Sequence, residues 1–233
     1  MSSFSDLKEA CCEANRLLPS YGLVDLTFGN LSVIDRAAGC FAIKPSGVAY
    51  DDLRPEDMVV IDLDGNVVEG TLRPSSDTPT HRRILQAFPS ATAVVHTHSR
   101  NATAFAQAGR AIPCLGTTHA DYFHGEVPVT RPMLRSEITG EYEWETGNVI
   151  VERFQKDSID PAQVPAVLVR SHAPFAWGTT IGQAVENALA LEIIADLARK
   201  TLQLDPEAAP LPQPLIEKHF HRKHGEGAYY GQS

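Results

Sequence analysis

The stretch ATAVVHTHSRNATAFAQAG, residues 91–109, carries two patterns in succession. Its first half is an apolar run ending at His96 and His98, which reads as a buried strand. Its second half reads as a helix, with Ser99 as its cap and Gly109 as its stop. Strand followed directly by helix predicts a layered α/β domain. The flanking sequence extends the pattern. In PSSDTPTHRRILQAF, residues 74–88, Thr78 is an expected N-cap and Pro79 the first helical residue, which places Ser75, Ser76 and Asp77 at a helix mouth. Upstream, LTFGNLSVID, CFAIKPSG and MVVIDLDGNVVEG predict antiparallel sheet, with a hairpin at Asp64-Gly65. Leu7, Cys11, Ala14, Leu17 and Leu18 predict an amphipathic first helix, capped by Ser5 and ended by Pro19 to Gly22. Downstream, NVIVERF and AVLVRSHAPFAWG read as strands. GQAVENALALEIIADLARKTLQL is the longest helical pattern, with Val185, Leu189, Ile193 and Leu197 as its apolar positions.

At 233 residues the chain can bury a large core, and its 43% hydrophobic and 21% charged residues are ordinary for a soluble protein. A net charge of -9 argues against a partner with a phosphate backbone, so no nucleic acid is expected. A small anion held by local donors remains compatible with that field. Cys11, Cys12, Cys40 and Cys114 form no CxxC spacing and read as reduced thiols, while no signal segment or membrane span is visible, so the expected location is cytoplasmic. DPEAAPLPQP, residues 205–214, resembles a linker, and the basic, aromatic tail after it, with Phe220, Tyr229 and Tyr230, is expected to dock on something.

His96 and His98 can be core packing, an acid–base pair or metal ligands. Residues two apart on a strand share a face, so both imidazoles can converge on one ion. His172 also ends an apolar strand, just before a Pro-containing turn, and Asp77 can add a carboxylate as fourth ligand or neighbouring base. No cysteine lies near these histidines in sequence, so the set reads as a catalytic rather than a structural metal site. FGN at 28–30, KPSG at 44–47 and PSSD at 74–77 each bring small residues and hydroxyl or amide donors to a strand end or helix start. Together they suit a phosphate group. GTTHADYFHGEVP, residues 116–128, crowds His119, Asp121, Tyr122, His124 and Glu126 into one polar loop. Of these, His124 and Glu126 read as solvated, whereas a carboxyl of raised pKa and a phenol facing it could share proton transfers.

In order along nearly the whole chain, LTFGNLS, IKPSGV, RPSSDTPTH, VVHTHSR, GTTHADYF, GEYEWETGNVIVE, SHAPFAWG and HFHRKHGEGAYYGQ resemble the bacterial L-ribulose-5-phosphate 4-epimerases, of the class II aldolase superfamily. The resemblance implies a single three-layer α/β/α domain over residues 1–233, with a mixed, largely antiparallel central sheet. It implies a Zn2+ ion on His96, His98 and His172, with Asp77 as the additional carboxylate, and Mn2+ or Co2+ as possible substitutes. Gly29, Asn30, Ser46, Gly47, Ser75 and Ser76 would bind phosphate with Lys44 nearby, and Asp121 and Tyr230 would transfer protons. The implied reaction opens the bond between the third and fourth carbons of a sugar phosphate and closes it on the opposite face. The implied assembly is a homotetramer with active sites at subunit interfaces, in which the tail, residues 215–233, completes a neighbour's site. Arabinose catabolism is the family's usual setting. Arg73 and Phe28 depart from the Lys and Trp more usual at those places.

Overall fold

The computed structural model describes residues 4–225 and 228–229. In chain order the elements are α1 (Ser5–Ser20), β1 (Asn30–Asp35), β2 (Cys40–Ile43), β3 (Val59–Asp62), β4 (Val67–Glu69), α2 (Thr78–Ala87), β5 (Ala93–His96), α3 (Arg100–Ala108), α4 (Thr117–Ala120), α5 (Arg135–Thr139), α6 (Tyr142–Lys156), β6 (Ala166–Leu168), β7 (Pro174–Gly178), α7 (Ile181–Leu204) and α8 (Gln213–Lys223). The strands form one sheet in the order β4-β3-β2-β1-β5-β7-β6, and each neighbouring pair runs antiparallel. The parallel component of the expected mixed sheet reduces to an isolated bridge between Val129 and Leu168.

Side-chain alternation divides the apolar residues between two faces. Leu31, Val33, Ala42, Val60, Val95 and Ala176 point to one, where Cys11 and Leu18 of α1, Ala102 of α3 and Leu191 of α7 cover them. Phe41, Ile43, Val59, Ile61, Val94, Phe175 and Trp177 point to the other, covered by Ile84 and Leu85 of α2 and Ile150, Val151 and Phe154 of α6. The result is helix, sheet, helix.

Several expectations shift. NVIVERF lies inside α6 and not in a strand: Val149, Ile150, Val151 and Phe154 are buried on a helical surface, and packing against α2 overrides the β preference of the branched residues. AVLVRSHAPFAWG is two strands, β6 and β7, joined by a turn in which Val169 N–H donates to Ala173 O at 3.0 Å. His172 lies in that turn. On α7 the buried stripe is Ala184, Ala188, Leu191, Ala195 and Ala198, whereas Ile193 and Leu197 are each 46% exposed. The small residues face the sheet because α7 packs closely on β7, where Gly178 has no room for a Cβ beside Ala184 N. Asp77, not Thr78, occupies the cap position of α2, and α1 already includes Ser5. The tail docks through α8, which buries Ile216 and Phe220 and packs on α4.

Candidate active site

β5 ends at His96 and the chain leaves the sheet there, so His98 reaches the same region from the following loop. The β6–β7 turn brings His172 from the adjacent strands. The three rings form a nearly equilateral triangle, with centroids 5.0 Å apart for His96–His98, 5.0 Å for His96–His172 and 5.2 Å for His98–His172. One ligand nitrogen from each lies within 4.8 Å of the others.

The donor chemistry fits a divalent cation. His96 stacks on Phe175 at 4.2 Å, and its Nδ1 lies 2.9 Å from Pro174 O. A carbonyl only accepts, so Nδ1 carries the proton and Nε2 keeps its lone pair. Burial pushes His96 and His98 below their ordinary pKa and, with the fields of His96 and His98, brings His172 down to about 4. All three are neutral near pH 7, the form that binds metal. His172 Nδ1 is buried without a hydrogen-bond partner among the described residues.

Asp77 sits beside this set, with Oδ2 4.0 Å from His96 Nε2 and accepting from Asn30 Nδ2 at 2.7 Å. Burial alone would raise its carboxyl, but His96, His81 and the Asn30 bond together hold it below the usual carboxylate range. Its position follows from α2: Asp77 is the cap residue, and its carbonyl accepts from His81 N–H at 3.0 Å.

The three donor-rich stretches meet at one cavity of about 400 Å³, lined by Gly29, Asn30, Lys44, Ser46, Gly47, Ser75, Ser76 and Asp77 together with His96, His98 and His172. Their approach is fixed by backbone contacts: Ser46 N–H donates to Arg73 O at 2.9 Å and Ser75 N–H to Lys44 O at 3.0 Å. Asn30 Nδ2 also donates to Ser75 Oγ at 3.0 Å, tying β1 to the mouth of α2. The Lys44 side chain is buried, which lowers its pKa, and its ammonium lies 4.8 Å over the Tyr50 ring.

Asp121 is not in the cavity wall. It follows α4 and is gripped by α8: Arg222 Nε and Nη2 donate to its two oxygens at 2.8 and 2.5 Å, and His219 Nδ1 lies 3.1 Å from Oδ1. Burial would raise this carboxyl, but the Arg222 and His219 contacts more than offset that and hold it low, contrary to the raised pKa expected for a carboxyl in this loop. In the same loop Glu126 is exposed as expected and His124 is half-buried, while His119 is buried with Nε2 2.7 Å from Gly125 O. Tyr230 lies outside the described residues. Sequence reasoning gave no role to Tyr142 and Glu143, which line the cavity from the first turn of α6. Acidic residues at Glu141, Glu143 and Glu145 are the helix-start signal that was available there.

This sheet thus carries a histidine triangle that could hold a divalent metal ion, beside converging donors that suit an anion. The chain belongs to the class II aldolase and adducin N-terminal domain family, whose model matches residues 9–198. The L-ribulose-5-phosphate 4-epimerase UlaF of Salmonella typhi is 52% identical over 226 residues, 97% of this chain and 98% of that one, and the UlaF of Salmonella choleraesuis matches equally well. The similarity places the chain in the epimerase branch of the family. A solved L-fuculose 1-phosphate aldolase superposes with a TM-score of 0.79 at 26% identity, covering 95% of this chain and 97% of that chain. The L-fuculose-1-phosphate aldolase of Thermus thermophilus gives 0.66 at 27% identity, over 88% and 98%. Among the described residues no helix is long and apolar enough to cross a membrane.

Proposed function

We propose that this chain interconverts L-ribulose 5-phosphate and D-xylulose 5-phosphate by opening and reclosing the bond between the third and fourth carbons. The observation that carries this reading is one cavity walled both by the three imidazoles of His96, His98 and His172 and by the Gly29–Asn30, Ser46–Gly47 and Ser75–Ser76 donors. A divalent cation on His96, His98 and His172, zinc in this proposal with manganese or cobalt as substitutes, supplies the Lewis acidity that stabilises the negative charge of the three-carbon fragment.

The residues divide the remaining work. Lys44 and the Gly29, Asn30, Ser46, Gly47, Ser75 and Ser76 donors hold the phosphate, so the two-carbon aldehyde stays bound when its carbon–carbon bond opens. A base removes the proton of the fourth-carbon hydroxyl; the oxygen becomes an aldehyde and the bonding pair passes to the third carbon. After the aldehyde turns over, that pair attacks its other face and an acid returns the proton. Asp121 and Tyr230 are the proposed proton carriers, one for each face, because the hydroxyl changes side. Asp121 stands outside its own chain's cavity, which suits an assembly, a homotetramer in this proposal, in which Asp121 and the tail serve a neighbouring copy's site; the cytoplasm is the proposed location. The Asp77 side chain, drawn in by Asn30, is the additional carboxylate beside the ion. The longer Glu carried at this place by product-releasing aldolases would extend toward substrate.

Incubation of metal-replete protein with L-ribulose 5-phosphate tests the reading. Formation of the xylulose isomer without free glycolaldehyde phosphate is expected. Accumulation of both fragments would identify an aldolase instead, and retained metal with no turnover would overturn the proposal.

A further inference from the structure

We propose that Tyr50 is the positioning residue of the phosphate subsite, fixing both the Phe28–Gly29 loop and the Lys44 ammonium. The inference rests on the phosphate role given above to that corner of the cavity. Tyr50 is 5% exposed and lies behind the cavity wall, in a short turn after the KPSG stretch. Its hydroxyl oxygen lies 2.9 Å from Phe28 O and 2.9 Å from Gly29 O. One O–H serves two carbonyls, so both are drawn toward the buried phenol and away from the space an anion would enter. The peptide between Phe28 and Gly29 is trans, which puts the Gly29 N–H on the side opposite that carbonyl. Without the hydroxyl, either carbonyl is free to rotate its lone pairs toward the phosphate and repel it. Burial pushes the phenol above its ordinary pKa, so it stays a donor.

The ring does a second task. Lys44 is only 2% exposed, and its Nζ reaches Pro45 O at 3.4 Å, a long contact. Among the described residues the Tyr50 face, 4.8 Å away, is the other group holding that ammonium in a buried position. Ring and hydroxyl thus act on different donors of one subsite, and substitutions separate them.

The test measures kcat and KM for the sugar phosphate, competitive inhibition by inorganic phosphate, bound metal and melting temperature in wild type, Tyr50→Phe, Tyr50→Leu and Lys44→Met. In Tyr50→Phe, which keeps the ring, KM and the phosphate inhibition constant should each rise about three- to tenfold, the range for one hydrogen bond, while kcat and bound metal hold within about twofold. Tyr50→Leu should weaken phosphate about two- to fivefold further, and that extra loss should vanish in a Lys44→Met background. Lowered melting temperature with unchanged constants per folded molecule would make Tyr50 merely structural and overturn the inference. So would equal constants for Tyr50→Phe and wild type where Lys44→Met is weakened. Insensitivity of Lys44→Met and wild type alike to inorganic phosphate would instead overturn the subsite on which the inference rests.

Discussion

Adding a single methyl group at Gly29 tests how tightly the anion loop is built onto the histidine set. Gly29 has φ +77°, and a Cβ there would lie 2.8 Å from His96 O and 2.9 Å from Val24 Cγ1. Gly47, in the neighbouring donor turn, has φ +73° but nothing within 4 Å of a Cβ. Both substitutions to Ala carry the left-handed backbone cost of about 1 kcal/mol. Only Gly29→Ala adds overlap, and an overpacked site costs about 1–3 kcal/mol more. The carbonyl in its way belongs to His96, whose backbone is locked opposite Asn30 in the β1–β5 register. Relief must therefore move a proposed ligand. Guanidinium denaturation should show a loss of about 1 kcal/mol for Gly47→Ala and about 2–4 kcal/mol for Gly29→Ala. Elemental analysis after dialysis should find less metal in Gly29→Ala alone. Equal losses of stability with equal metal content would refute the reasoning, because crowding against His96 would then have no consequence.

Other expectations follow from the same geometry. Asp121→Asn should lower turnover by about two to four powers of ten with metal retained, as expected for loss of a general acid–base group; wild-type turnover would remove it from proton transfer. Tyr230→Phe should behave the same way, and full activity in that variant would take the tail out of the reaction. Burial brings His119 down to about 4 from an ordinary 6.5, so the unfolded chain takes up its proton first. Its contribution to stability is complete above about pH 6.5 and is lost as pH falls toward 4, about 3 kcal/mol in total. His119→Gln keeps a donor for Gly125 O and should lessen acid destabilisation by that amount in denaturation series from pH 7 to 4; an unchanged pH dependence would show that His119 titrates normally.

Much of this molecule is legible in its sequence because strand alternation and turn chemistry are local. The Asp64-Gly65 hairpin, the Gly109 stop and the run into His96 each depend on a few adjacent residues. The chain segment 148–154 is different: its branched residues favour a strand, and only the α2 surface, far away in sequence, makes it a helix. The α7 stripe misleads for a related reason, since close packing on β7 selects the small Ala residues and leaves Ile193 and Leu197 at the surface. At the site, donors on strand ends and helix mouths are readable because backbone exits put them there. The surroundings of Asp121 are not, because its partners Arg222 and His219 come from a helix about a hundred residues on. Tyr50 escapes for the same reason, as its contacts with Phe28, Gly29 and Lys44 exist only after folding.

The most direct measurement of the central claim is NMR analysis of the pentulose 5-phosphate formed by the metal-replete protein in D2O. Opening and reclosing the carbon–carbon bond never releases the hydrogen on the fourth carbon, which stays in the aldehyde fragment throughout. D-xylulose 5-phosphate carrying protium at that carbon is the predicted result. Deuterium there would contradict it, because it would mean that the carbon is inverted by losing and regaining a proton.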